Sequence, residues 1–87
     1  MDTARYDDWE EAQNEYARQV AQLCLDTFTS GHEYLSFNCR RTKTVTEYVL
    51  CKVYQILWGS TPSIGFMSSI KKRGDTMRVY LTLFEQD

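Results

Sequence analysis

The chain has 87 residues, of which 43% are hydrophobic and 25% charged, and its formal net charge is −2. This length suits one domain with one modest core and excludes a second domain of ordinary size. With one proline and four glycines the chain contains no low-complexity linker, so we expect a single ordered domain over residues 1–87.

The start of the chain and the cysteine content indicate a compartment. MDTARYDDWEE lacks the basic flank, apolar run and cleavage site of a secretory signal, and no apolar stretch approaches the roughly 18 residues needed to span a bilayer. Cys24, Cys39 and Cys51 are odd in number and form no C-x-x-C spacing, which suits neither a disulfide framework nor a zinc site. We therefore expect a cytoplasmic protein with no membrane contact, no metal and no cofactor.

The first predicted element is a helix from Asp7 to Thr29. The segment has no glycine or proline, and Gly31 suits a C-terminal cap. Asp7 with Glu10, or Asp8 with Glu11, resembles a capping box. One apolar face follows the helical period, and its residues are Trp9, Ala12, Tyr16, Val20, Leu23 and Phe28.

A short strand and a second helix are predicted next. Residues 33–39 alternate apolar and polar side chains, as expected for a strand with one buried face. Residues 44–59 are rich in β-branched and aromatic residues, which leaves a strand as the alternative. The absence of an internal turn signal, the Thr44-x-x-Glu47 start and the closing Gly59 favour a helix.

After Pro62 the pattern predicts a β-hairpin whose turn is Arg73-Gly74. In this register one face is apolar nearly throughout, whereas a slip of one residue would scatter the apolar side chains over both faces. The predicted cross-strand pairs are Ile70 with Met77, Ser68 with Val79, Phe66 with Leu81 and Ile64 with Leu83.

These elements predict a small single-domain α+β fold of order α-β-α-β-β. Two helices pack on one face of a three-stranded sheet that ends in the β-hairpin. The other sheet face is then open and carries residue types that are enriched in interfaces, namely Tyr34, Met67, Arg78, Tyr80, Thr82 and Phe84. The alternative is that the first helix or a second copy of the chain covers this face.

Charge is strongly segregated along the chain. Residues 1–34 carry eight acids and two bases, net −6, whereas residues 35–87 carry eight bases and four acids, net +4. The predicted topology brings the end of the first strand and the hairpin turn to the same end of the sheet. This basic end could bind an anion or a nucleic acid through Arg40, Arg41, Lys43, Lys71, Lys72 and Arg73. Alternatively, these bases only maintain solubility and discourage edge pairing.

Catalytic groups form no recognisable pattern. The one histidine, His32, follows the first helix, and its spacing from Cys39 or Cys51 does not indicate a nucleophile pair. Carboxylates at the start of a helix are expected from the helix dipole alone. We therefore expect that the protein is not an enzyme.

The leading hypothesis is a non-enzymatic protein-binding module that blocks a surface of a larger protein or complex. Its binding residues would be Tyr34, Met67, Arg78, Tyr80 and Phe84 on the sheet, and Asp8, Glu11 and Glu15 on the first helix. By type, it resembles the small inhibitors that phages and mobile elements direct against host defence, including anti-CRISPR proteins. The alternatives are a nucleic-acid-binding protein that stacks bases on its aromatic sheet face and a homodimer whose sheet faces meet.

Overall fold

The structure, a computed structural model, describes the backbone of residues 2–86 and the side chains of residues 8–86. It confirms the predicted α+β fold and its order of elements. In chain order these are α1 (Asp2–Thr29), β1 (Tyr34–Cys39), α2 (Lys43–Trp58), β2 (Ile64–Arg73) and β3 (Thr76–Glu85).

Helix α1 begins five residues before the predicted start at Asp7, because no glycine or proline interrupts residues 2–7. Asp8 and Glu11 therefore lie inside the helix and do not form the predicted capping box. The side chain of Asp7 lies outside the described part of the chain.

The sheet has the strand order β1-β3-β2, and β3 is antiparallel to both neighbours. Strands β1 and β2 therefore run in the same direction and both end near the hairpin turn. Helix α1 packs on β1 and β3, α2 packs on β2, and the two helices pack against each other. The core lies between the helices and the sheet face that carries Cys39, Ile64, Val79, Leu81 and Leu83.

Residues Lys43–Trp58 form a helix, which resolves the helix-or-strand alternative. Its N-cap is Thr42, whose side-chain oxygen accepts a hydrogen bond from the backbone N–H of Val45 (3.3 Å). The buried side chains recur at helical steps and pack against α1 and the sheet, so tertiary packing outweighs the β-propensity of the segment. These residues are Thr46, Val49, Leu50, Val53 and Leu57.

The hairpin register differs from the predicted one by two residues. The turn is Gly74-Asp75, and Arg73 pairs with Thr76. Gly74 has a φ of +60° and Asp75 has a negative φ, as in a type II′ turn with glycine at its first central position. The predicted turn would have placed Arg73 at that position, where a side chain is unfavourable. The observed pairs are Ile70 with Val79, Ser68 with Leu81, Phe66 with Leu83 and Ile64 with Glu85.

A shift of two residues keeps every side chain on its predicted face, because side chains alternate with a period of two. The partners across the strands nevertheless change. Tyr80 lies opposite Ser69 and Ser36, and Met67 lies opposite Thr82, so Tyr80 and Met67 are not the cross-strand pair that the predicted register required.

Candidate partner-binding site

The sheet face opposite the helices is exposed, and we call it the open face. By the alternation of the three strands it carries the even-numbered residues of β1 and β3 and the odd-numbered residues of β2. Three large apolar side chains are strongly exposed there: Tyr34 (74%), Met67 (67%) and Phe84 (40%). An exposed group of this size and composition is typical of a protein-binding surface.

Arg78 lies on the central strand β3, in the half of the open face nearer the hairpin turn, and is held in place from a neighbouring strand. Its guanidinium donates hydrogen bonds to Ser36 Oγ (2.8 Å) and to Asn38 Oδ1 (3.1 Å) on β1. Tyr80, half-buried, has two cations near its ring: Lys71 Nζ is 5.8 Å and Arg78 Cζ is 5.9 Å from the ring centre. The fold thus positions a tyrosine and an arginine before any partner arrives.

The open face is polarised along the strands. Near the hairpin turn it carries Lys71, Arg73 and Arg78, while none of its positions within the strands holds an acid. A polar hollow of about 470 Å³ lies among Asn38, Arg73, Thr76, Arg78 and Tyr80. The partner surface that fits this end is therefore anionic.

The opposite end of the open face is apolar and closely packed. Phe84 is paired with Gly65, and a Cβ at that glycine would lie 2.8 Å from the Phe84 ring. The absence of a side chain at Gly65 therefore lets the aromatic ring lie directly on the strand. Together with Tyr34 and Met67, Phe84 gives this end an apolar contact area.

The basic residues near the turn do not behave as one group. Arg41 is half-buried: its Nε donates a hydrogen bond to the side-chain oxygen of Gln13, and its guanidinium lies 4.0 Å from the centre of the Tyr16 ring. Arg41 therefore anchors the loop after β1 to α1. The remaining five residues of the predicted basic end are exposed, and they are Arg40, Lys43, Lys71, Lys72 and Arg73. Of these, Lys71 and Arg73 belong to the open face.

The acidic side chains of α1 within residues 8–29 lie on the helical side of the molecule, away from the open face. Arg18 pairs with Glu11 (3.0 Å) and with Glu15 (2.7 Å). The Arg18 hydrogen bond lowers the pKa of Glu15. Two of the three acids proposed for partner binding are thus partly neutralised within the helix, while Asp8 is exposed.

The structure does not bring histidine and cysteine together. His32 precedes β1 and Cys39 ends it, so roughly 20 Å of extended chain separates them. Cys51 lies beside β2 at the opposite edge of the sheet. All three cysteines are free, and burial raises the pKa of Cys24 to about 12. Within residues 2–86 there is no cluster of metal-ligating side chains, and neither helix is long and apolar enough to cross a membrane.

A groove that the sequence did not predict lies between α2 and β2. Its volume is about 490 Å³. One wall is a stripe of α2 adjacent to its buried stripe, and the other is the helix-facing side of β2. Lys43, Glu47, Leu50, Cys51, Tyr54, Phe66, Ser68 and Ile70 line it. The spacing 43, 47, 50, 51, 54 indicates one helix face, but only the docking of α2 on β2 shows that this face borders a groove.

Comparison with protein-family models, with curated proteins and with solved structures finds no match to this chain. The functional inference therefore depends on the geometry of the surfaces described above.

Proposed function

We propose that this protein is a non-enzymatic binding module that attaches to a surface of a larger protein through the open face. The observation that carries the proposal is the combination of exposed Tyr34, Met67 and Phe84 with a pre-positioned Arg78. Tyrosine and arginine are over-represented among residues that dominate binding energy. Methionine adapts its shape to a partner.

The partner surface should combine an apolar patch with carboxylates. The apolar patch would contact Tyr34 and Phe84, and the carboxylates would accept hydrogen bonds from Arg78 and Lys71. In the part of the chain that the structure describes, neither cation is paired with an acid. The charge asymmetry between the open face and α1 would orient the encounter through long-range attraction.

Such a module would act by occupying its target's surface. Because Arg78 is already bonded to β1, little ordering of this side chain is needed on binding, and pre-organisation of this kind favours affinity. This mode of action suits a small cytoplasmic inhibitor of the anti-defence type that phages and mobile elements encode. Because Asp8, Glu11 and Glu15 lie on the other side of the molecule, they are not part of this contact surface.

Affinity capture from cells of the source organism, followed by mass spectrometry, tests the proposal. Protein captured by the wild type should be lost with Met67→Glu, which buries a charge against the apolar patch of the partner, and retained with Gln55→Ala on the exposed side of α2. The dissociation constant of the captured protein should then rise at least tenfold on Tyr34→Ala or Arg78→Ala. Unchanged affinity in both variants, with folding intact by circular dichroism, would contradict the proposal.

A second candidate function is single-stranded nucleic-acid binding, which the hollow beside Tyr80 favours. Tyr80 offers a ring for base stacking, and Lys71, Arg73 and Arg78 surround it with positive charge. The chain as a whole is acidic, with a sequence pI near 5.3, whereas dedicated nucleic-acid binders are usually basic. This makes protein binding the better-supported function.

Fluorescence anisotropy with labelled oligo-dT separates the two candidates. A nucleic-acid binder should hold the oligonucleotide at about 100 mM salt, with an affinity that falls steeply as salt increases. Tyr80→Ala should weaken that binding, while Gln55→Ala should not. A lack of binding even at low salt would exclude this candidate.

A further inference from the structure

We propose a second binding site, formed by the outer edge of β2 and the adjacent groove, that accepts an extended segment of a partner protein as a fourth strand. It lies at the edge of the sheet and on its helical side, and so is separate from the open face. The inference does not depend on the proposed function.

The outer edge of β2 offers unpaired backbone groups. Gln86 N donates to Ser63 O (2.9 Å), which shows that the odd-numbered residues of β2 bond to β3. In an antiparallel ladder the even-numbered residues then direct their N–H and C=O groups outward. Ile64 is fully buried, so the accessible outward groups belong to Phe66, Ser68, Ile70 and Lys72.

The groove lies on the side to which the same residues direct their side chains. Phe66, Ser68 and Ile70 form its strand wall, while Leu50 and Tyr54 contribute apolar surface from α2. A strand added to this edge would direct every second side chain into the groove, next to these residues. The backbone edge and the groove therefore fit one ligand geometry, the strand addition by which extended peptides join a sheet.

The edge also lacks the usual protection against pairing. Natural edge strands are commonly short, charged or interrupted by proline. β2 has ten residues, and its charges are confined to Lys71, Lys72 and Arg73 at the turn. The stretch 64–70, IGFMSSI, contains no charge and no proline. A partner strand can therefore pair with residues 64–70 without meeting a charged side chain of that stretch.

The position of α2 favours a single extended segment over a second copy of this chain as the occupant. Two copies paired by β2 edges would place these strands about 4.8 Å apart. Because α2 packs on β2 in each copy, such pairing would bring both α2 helices to the same side of the seam, where each helix needs roughly 8–10 Å to its neighbour. A segment with no helix over it avoids this crowding.

Charge indicates the sequence of that segment. Toward the turn, Lys43 borders the groove and Lys72 follows Ile70 on the same side of β2, with Glu47 as the one acid of the lining. The other end of the groove is bordered by Tyr54 and Phe66. The fitting ligand has apolar residues at alternate positions and an acid at the end that lies near Lys43 and Lys72.

Selection from a displayed library of random peptides, each long enough for a strand of about six residues, provides the probe. Selected peptides should show the alternating apolar pattern. Their affinity should fall at least tenfold for Ser68→Pro, which removes an outward N–H but no bond to β3. The matched Ser68→Ala keeps that N–H and should lose far less affinity than Ser68→Pro, while Gln55→Ala, outside the groove lining, should bind like the wild type.

Amide hydrogen exchange of the unmutated protein gives a readout that does not depend on how Ser68→Pro folds. In the free protein the amides of Phe66, Ser68 and Ile70 should exchange much faster than those of Met67 and Ser69. Selected peptide should protect the first three. The proposal is overturned if the wild type enriches no peptide beyond those that the Ser68→Pro variant also enriches, or if bound peptide leaves these amides unprotected. It is also overturned if light scattering shows a dimer that Ser68→Pro abolishes, because a second copy would then be the occupant.

Discussion

At the scale of single residues, burial separates side chains that the sequence placed in one group. Arg40 and Arg41 are adjacent and were both assigned to the basic end, yet only Arg40 is exposed. The Arg41 guanidinium packs on the Tyr16 ring and donates a hydrogen bond to Gln13, which is 5% exposed. Adjacent residues after a strand point in different directions, and the direction of each depends on where α1 lies.

The two arginines give a matched pair of stability variants. Arg41→Ala should lower the free energy of unfolding by about 1 to 3 kcal/mol, because it leaves the buried Gln13 side chain without its partner. Arg40→Ala should change it by less than about 0.5 kcal/mol. Urea denaturation measures both values, and equal losses would show that Arg41 is not an anchor.

Buried groups with raised pKa values predict a loss of stability in alkali. Burial raises the pKa of Cys24 from its ordinary 9.0 to about 12, and burial is the main cause that raises the pKa of Tyr16 from 10.0 to about 12. Above pH 9 the unfolded chain therefore loses protons that the folded chain retains, so unfolding becomes easier as pH rises toward 12.

The free energy of unfolding should accordingly decline from about pH 9 upward, by at most about 1.4 kcal/mol per pH unit for each group. Denaturant melts at pH 7 to 11 measure the decline. Cys24→Ala should be less stable at pH 7 because it leaves a cavity, but its stability should decline less steeply between pH 9 and 11. An identical slope would show that Cys24 does not contribute.

At the scale of elements, turn chemistry determines which residues face each other across the hairpin. Hydrophobic alternation assigns each side chain to a face, but it is satisfied equally by registers that differ by two residues. The positive φ of Gly74 selects Gly74-Asp75 as the turn. The sequence predicts Gly74 as the second central residue of the turn, and this is wrong, because Gly74 is the first central residue.

Gly74→Ala tests this turn. A side chain at a φ of +60° is strained, so the substitution should lower the free energy of unfolding by about 1 to 3 kcal/mol. Asp75→Ala, at the neighbouring position with negative φ, should change it by less than about 1 kcal/mol. Thermal or urea unfolding gives both values, and a neutral Gly74→Ala would indicate another turn geometry.

At the scale of the whole molecule, a two-layer arrangement leaves one sheet face uncovered. Both helices lie on the same side, so residues on the two faces of the sheet differ sharply in exposure: Leu81 on the helical face is 2% exposed, whereas Met67 on the open face is 67% exposed. The core and the candidate binding surface are therefore opposite faces of one sheet. Changes on the open face can alter binding without unfolding the protein.

A pair of truncations tests the two faces. Leu81→Ala should lower the free energy of unfolding by about 2 to 5 kcal/mol, because it removes buried methyl groups and leaves a cavity. Met67→Ala should lower it by less than about 1 kcal/mol, because most of that side chain already contacts solvent. A large loss for Met67→Ala would mean that another surface covers the open face in solution.

Periodicity in the sequence predicts the number and order of the elements and the face of each strand side chain, because helical and strand periodicities are local properties. For residues 44–59 it favours a helix but leaves a strand open. It also predicted the residues that now form the open face, since alternation along β1, β2 and β3 places Tyr34, Met67 and Phe84 together once the helices cover one side. The side on which the helices pack follows from the apolar face of the sheet.

Features that depend on contacts between distant residues are set by the packing of the folded chain. The pairing of Arg78 with Ser36 and Asn38, the burial of Arg41 against α1, and the groove between α2 and β2 all depend on how elements dock. Docking is set by side-chain volumes across the whole core, and no local pattern encodes it. For that reason the open face was predictable from the sequence, while the groove and the free edge of β2 beside it were not.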